Sequence, residues 1–219
     1  RDALPAGWGV AGAPTGDPPE REGCVQEFHV FAWDPEVVSL RCEPAALGLK
    51  GSFRRPPVVA RFAVRGGGDL LVCSVHLSSD QGLARAEAAA LGAEALPALR
   101  AEHGEGAVRG LVVCGDFNLA PPVQSKELRG LVEPAPGAAF AGLQAQGWRP
   151  TNVEHTNLAA LAEKAYVYDN VYVHEDVLGA MPGGGGAQRA EVVRVDEEAL
   201  EEWRCGAEAP AAAGGGGRP

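Results

Sequence analysis

The run Leu111-Val112-Val113-Cys114-Gly115-Asp116-Phe117-Asn118 ends an apolar stretch in two oxygen-bearing side chains two positions apart. An unbroken apolar run of this length reads as a strand inside a sheet. If the chain stays extended through Asn118, Asp116 and Asn118 point to one side and Phe117 turns into the core. A carboxylate and an amide converging in this way form a hard-cation site of low ligand charge. It suits Mg2+ when water and a phosphate supply the remaining ligands, and Mn2+ or Ca2+ could take the same oxygens. The other reading of the same four residues is a strand-ending turn in which Asp and Asn bond their own backbone. Gly115 lets a substrate or another backbone segment come close.

Several other segments must position this pair. Arg54-Arg55-Pro56-Pro57 precedes an apolar strand, and the two prolines hold Arg55 extended, with a guanidinium suited to phosphate oxygens. Val58 to Val64, a turn at Gly66-Gly67-Gly68-Asp69, and Leu70 to His76 read as a hairpin of two core strands. His76 closes the second of them. From Asp80 to about Glu102 the residues Ala84, Ala88, Leu91, Ala95 and Leu99 repeat at helical spacing, with Arg85, Glu87 and Glu94 directed elsewhere. Pro97 should kink that helix. The helix carries the chain across the sheet, so the His76 and Asp116 strands can run parallel. Upstream, Val25 to Trp33 alternates with apolar residues on both sides, as in a strand covered on two faces. Val37 to Arg41 is expected as its hairpin partner. Glu27 in this strand either faces water at an edge or has a partner for its carboxylate. Tyr166 to Val173 is the last expected strand and carries Asp169 between aromatic residues.

Read in order, Arg55-Pro56-Pro57, Ser74-Val75-His76-Leu77, Gly115-Asp116-Phe117-Asn118 and Tyr168-Asp169-Asn170-Val171 resemble the endonuclease/exonuclease/phosphatase superfamily, in its deoxyribonuclease-I-like branch, over about residues 25 to 175. The resemblance implies a two-sheet α/β sandwich with helices on the outside. It implies hydrolysis of phosphodiesters with a divalent metal at Asp116 and Asn118, and Arg55 on a phosphate oxygen. His76 would contact the scissile phosphate or protonate the leaving oxygen, with Glu27 holding its tautomer. Gln26-Glu27 also looks like the family's metal motif, but it lies too close to the Arg55 segment, so the pairing role is preferred. Asp169 corresponds to the buried acid that orients a second histidine. Thr156 and Asn157 fall where the family places substrate loops, and DNA is the favoured substrate. A phosphomonoesterase or sphingomyelinase-like hydrolase of the same fold, or a binding domain without catalysis, are the alternatives.

The resemblance ends early at both sides. No His follows His174, where the family has a Ser-Asp-His strand, and the family's first strands are not found before residue 25. The expected organisation is a surface loop over 1–24, a partial domain over 25–204 and a disordered Ala/Gly tail over 205–219, the middle of a larger unit; lacking the family's final His and first Glu, the chain alone is expected to lose orders of magnitude in activity.

Composition bounds these readings. With 219 residues, 46% apolar and 22% charged, the chain can build one sizeable core. A net charge of −10 argues against gripping nucleic acid on a broad basic surface, though not against handling one phosphate at a time. Five cysteines without paired spacing, two of them inside apolar strands, point to neither a disulfide framework nor a zinc site.

Overall fold

The computed structural model describes residues 6–15, 27–49, 51–104, 110–119, 139–151 and 169–174. Among these residues, eight strands form two sheets. β1 (Gly9–Pro14) and β2 (Phe28–Trp33) make an antiparallel ribbon. β3 (Val38–Ala46), β4 (Val58–Val64), β5 (Asp69–His76), β6 (Leu111–Asp116), β7 (Trp148–Pro150) and β8 (Asp169–His174) form a six-stranded sheet in the order β3-β4-β5-β6-β8-β7. The fold is therefore mixed α/β with two sheets, as the motif order implied.

The hairpin β4–β5 and the parallel pair β5–β6 follow the expected course. Alternation along β5 sends Leu71, Cys73 and Val75 into the main core, while Ser74 and His76 face the other way. The main core lies between the six-stranded sheet and the helical layer, where Leu91, Leu96, Leu99 and Leu111 are at most 1% exposed. A smaller core fills the space between the ribbon and the opposite sheet face, around Phe31, Val58, Ala60 and Phe62. Phe31 and Trp33 both set their rings against Phe62, with centroids 6.4 and 5.4 Å apart.

The helical layer opens with α1 (Gln81–Ala90), capped by the Asp80 carboxylate, which accepts from Leu83 N at 2.9 Å. Ala84, Ala88, Leu91, Ala95 and Leu99 are all buried, as their spacing indicates. The predicted disturbance at Pro97 takes the form of a π turn, Leu91–Ala95, immediately before α2 (Leu96–His103). Proline donates no hydrogen bond to the turn before it, and a widened turn absorbs the mismatch. Gln146 Nε2 donates to the Gly92 carbonyl in this turn at 2.9 Å. Gly92 also abuts Gly142 in the short α3 (Ala141–Ala145), where a Cβ would lie 2.7 Å from the Gly142 carbonyl carbon.

Three expectations are corrected here. The segment 9–14, expected as surface loop, is strand β1. Its small residues permit close pairing: a Cβ on Gly9 would collide with the Trp33 ring, and one on Gly12 would lie 2.8 Å from the His29 carbonyl oxygen. Tertiary pairing overrides the loop-like composition. β2 pairs with β1, whereas β3, which takes in Val38 to Arg41 of the segment expected as its hairpin partner, joins β4 in the other sheet. And β2 is covered on one face only, since Phe28 and Val30 are 56% and 66% exposed.

Among the described residues, no helix is long and apolar enough to cross a membrane. Residues 152–168 and 175–219 lie outside the described set, and with them Thr156, Asn157, the start of the expected Tyr166 strand and the expected tail. Cys24 and Cys205 lie outside it too.

Candidate functional site

Three chain segments end at one place. β5 and β6 run parallel with His76 opposite Asp116, so both side chains emerge at the same end of the sheet and on the same face. β8 runs antiparallel to β6 and sets Asp169 opposite Asp116. Over this end lies the start of β2, where Thr15 N donates to the Glu27 carbonyl oxygen at 3.0 Å and extends the ribbon by one bond. Alternation along β2 points Glu27, His29, Phe31 and Trp33 at the six-stranded sheet, so Glu27 meets His76 and His29 meets Ser74.

Glu27 joins two side chains. Its Oε1 makes a short hydrogen bond with His76 Nδ1, and its Oε2 accepts from Arg55 Nη1 at 3.0 Å. Burial acts to raise the Glu27 carboxyl, but the hydrogen bonds and charges of His76 and Arg55 outweigh it and hold the group below its ordinary range. An ionised carboxylate only accepts hydrogen bonds, so the Nδ1 of His76 carries a proton. His76 Nε2 then faces Asp116 Oδ2 at 3.9 Å and is the nitrogen able to exchange a proton. Arg55 Nη2 donates to the Leu77 carbonyl oxygen at 2.6 Å. Two of its five N–H groups are thus committed to protein acceptors.

Asp116 carries the opposite shift to Glu27. Burial raises its carboxyl and so does the neighbouring Asp169, against the lowering pull of the Asn118 N–H, His76 and Arg55. Two carboxylates crowded together in this way favour a cation between or beside them.

Asn118 departs from the extended course expected of it. The strand ends at Asp116, Asn118 takes a left-handed φ of +49°, and its N–H donates to Asp116 Oδ1 at 2.7 Å. This is the strand-ending turn that the same residues also allowed. The Asn118 side chain still returns to the site, because Nδ2 donates to the Leu77 carbonyl oxygen at 2.8 Å and leaves the amide oxygen as its acceptor atom. Phe117 is fully buried, packed against Phe140 and Tyr172. Asp169, expected as a buried acid, is exposed; its buried neighbour is Asn170. The strand's alternation puts Tyr172, not Asp169, into the core.

The donors fit a hydrated hard cation better than a closed protein cage. Asp116 and the Asn118 amide oxygen are hard oxygen ligands, and Asp169 stands in register beside them. Among the described residues no group of three or more His, Cys, Asp and Glu is arranged to hold a metal. Mg2+ commonly binds through one or two carboxylates and keeps its waters.

Sequence reasoning passed over three contributors. His29 is buried with Nδ1 2.6 Å from Ser74 Oγ; burial lowers its pKa, Glu27 acts to raise it, and His76 and Arg55 lower it further. Its place two residues from Glu27 on the same strand face was the available signal. Gln81 Nε2 donates to the Asn118 carbonyl oxygen at 2.9 Å. Glu87, expected to point away from the core, is 4% exposed and turned inward.

No protein-family model matches this chain, and no curated protein does. It is similar to the crystal structure of D. rerio TDP2 humanized by 14 mutations, at 14% identity and TM-score 0.46, over 75% of this chain and 61% of that one. It is also similar to ANGEL2, a 2',3'-cyclic phosphatase, at 14% identity and TM-score 0.46, over 78% of this chain and 63% of that one. A third similarity is to the endonuclease domain of TRAS1, a telomere-specific non-LTR retrotransposon, at 13% identity and TM-score 0.46, over 77% and 68%. The chain thus spans about three-fifths of the length of the first two. In the order of its motifs, Arg55-Pro56-Pro57, His76, Asp116-Phe117-Asn118 and Asp169, the chain resembles the endonuclease/exonuclease/phosphatase superfamily, a resemblance carried by the sequence.

Proposed function

We infer that this chain hydrolyses phosphodiesters with the help of a divalent metal, and that DNA is its substrate. The observation that carries the reading is the convergence of Glu27, Arg55, His76 and Asp116, from four separate segments, on one end of the sheet. An isolated ion pair joins two elements. This cluster joins four and ends in an imidazole nitrogen turned toward a carboxylate.

In this reading Glu27 holds His76 in one tautomer and orientation, so that Nε2 exchanges the proton. Arg55, fixed by Glu27 and the Leu77 carbonyl, turns its remaining Nη–H groups to a phosphate oxygen. Asp116 and Asn118 would hold Mg2+, or Mn2+ or Ca2+ in its place, and Asp169 adds negative charge beside them. The bound cation would neutralise charge developing on the phosphate. Thr156 and Asn157 belong to the reading as substrate contacts, and they lie outside the described residues. The net charge of −10 fits brief contact with a polyanion rather than a long-lived complex.

The test is release of acid-soluble product from plasmid DNA in Mg2+ by the chain and by Asp116→Ala, each shown to be folded by circular dichroism. The reading expects Mg2+-dependent cleavage that Asp116→Ala loses by a factor of at least about 100. No cleavage by the folded chain, or equal cleavage by the variant, would overturn the assignment to DNA.

A further inference from the structure

We propose that Glu87, on α1, is a positioning residue for the candidate site, acting through the Leu77–Ser78 peptide on Arg55. The proposal rests on the function inferred above. Glu87 is 4% exposed, and its two carboxylate oxygens go to two different segments. Oε1 accepts from Arg54 N at 2.7 Å and Oε2 from Ser78 N at 2.6 Å. Arg54 adjoins Arg55, and Ser78 lies two residues beyond His76.

The Leu77–Ser78 peptide is thereby held from both ends. Its N–H donates to Glu87, and its carbonyl oxygen accepts from Arg55 Nη2 at 2.6 Å and from Asn118 Nδ2 at 2.8 Å. A carboxylate on the N–H of an amide pushes electron density toward the carbonyl, which strengthens the bonds made there; hydrogen bonds in such a chain reinforce one another. The second oxygen, on Arg54 N, fixes the backbone from which the Arg55 side chain departs. One buried carboxylate therefore sets both the base of the Arg55 side chain and the acceptor that its far end meets. A buried anion that served only to fill space would be costly, since an apolar side chain fills α1's inner face without desolvating a charge. The adjoining Ser78 Oγ accepts from Asp80 N at 3.2 Å, and Asp80 caps α1, so the helix carrying Glu87 is itself anchored to this turn.

Glu87→Gln keeps the shape of the side chain but replaces one acceptor oxygen by an NH2 group, which cannot serve both N–H donors. The first arm of the test needs no substrate. In the 1H–15N spectrum of the chain, the Arg54 and Ser78 amide protons should lie downfield and exchange slowly, and Glu87→Gln should shift at least one upfield and speed its exchange. The second arm is a double-mutant cycle on bis(p-nitrophenyl) phosphate with Mg2+. Glu87→Gln should lower kcat/KM about tenfold alone and less than about twofold in an Arg55→Ala background, because Arg55 is what Glu87 positions. A Glu87 that only supports the fold would give equal losses in both backgrounds. Should Glu87→Gln not fold, Arg55→Lys in the native chain supplies the converse: loss of the guanidinium from the Leu77 carbonyl should move the Ser78 amide proton upfield. Unchanged amide signals, or additive losses in the cycle, overturn the proposal. A chain that hydrolyses nothing while the amide arm succeeds overturns the inferred function and leaves the Glu87 contacts standing.

Discussion

Replacing Gly115 by alanine should damage the fold at the point where the candidate site is assembled. Gly115 has φ +137° and sits opposite Val75 in the parallel β5–β6 pair. A Cβ there would overlap the Val75 carbonyl oxygen and lie 3.0 and 3.1 Å from its carbonyl carbon and amide nitrogen. All three atoms are backbone, so no side chain can swing aside. A non-glycine residue in this backbone region costs about 1–3 kcal/mol, and forcing packed strands apart costs about 1–3 kcal/mol more. The sum centres near about 4 kcal/mol. For a chain of this size that corresponds to a fall in Tm of roughly 8–16 °C. Gly67→Ala is the control, because Gly67 has a comparable φ of +115° but nothing within 4 Å of the added methyl. Its loss should come from the backbone alone, and the difference between the two variants isolates the overlap with Val75. Urea denaturation at pH 7, followed by circular dichroism, measures both. The reasoning fails if Gly115→Ala is no less stable than Gly67→Ala.

Glu27→Gln should expose a pH-dependent contribution to stability. A carboxyl held below its ordinary value of 4.5 in the folded chain stabilises it above that value and loses the contribution as pH falls through the folded one. The Tm gap between the chain and Glu27→Gln should thus be full at neutral pH and close as the pH falls below 4.5; a gap that widens on acidification would contradict the ion-pair account. At position 118, Asn118→Gly keeps the left-handed backbone and loses the bond to the Leu77 carbonyl, whereas Asn118→Ala also strains the backbone and should be less stable by about 1 kcal/mol. An alanine variant as stable as the glycine one in urea would refute this. Among Cys42, Cys73 and Cys114, a brief iodoacetamide pulse followed by peptide mass spectrometry should modify exposed Cys42 first. Burial pushes the Cys114 thiol up to about 11 and raises Cys73 further, so early labelling at either would contradict the packing of β5 and β6.

Much of the framework was legible because it follows from periodicity. Apolar-rich runs marked β4, β5 and β6, and the spacing of Ala84, Ala88, Leu91, Ala95 and Leu99 marked the buried face of the helix. The partnership of Glu27 with His76 came from the resemblance, and the two residues do meet. What escaped depends on contacts between distant segments. β1 is rich in glycine and proline, and becomes a strand only because β2 lies beside it. Glu87 sits at a helical position that charge alone assigns to solvent; its inward turn is dictated by two N–H groups, from residues 54 and 78, that no local pattern reveals. Asn118 follows a turn in place of the extended path because its N–H finds the Asp116 carboxylate two residues back, a local bond that competed with strand continuation from the outset.

The most direct test of the account is hydrolysis of bis(p-nitrophenyl) phosphate by the folded chain, in Mg2+ and in EDTA, beside His76→Ala. The account predicts turnover that requires the metal and that His76→Ala reduces by about 100-fold or more. Metal-independent turnover, or turnover that persists in folded His76→Ala, would contradict it, as would a folded chain with no turnover.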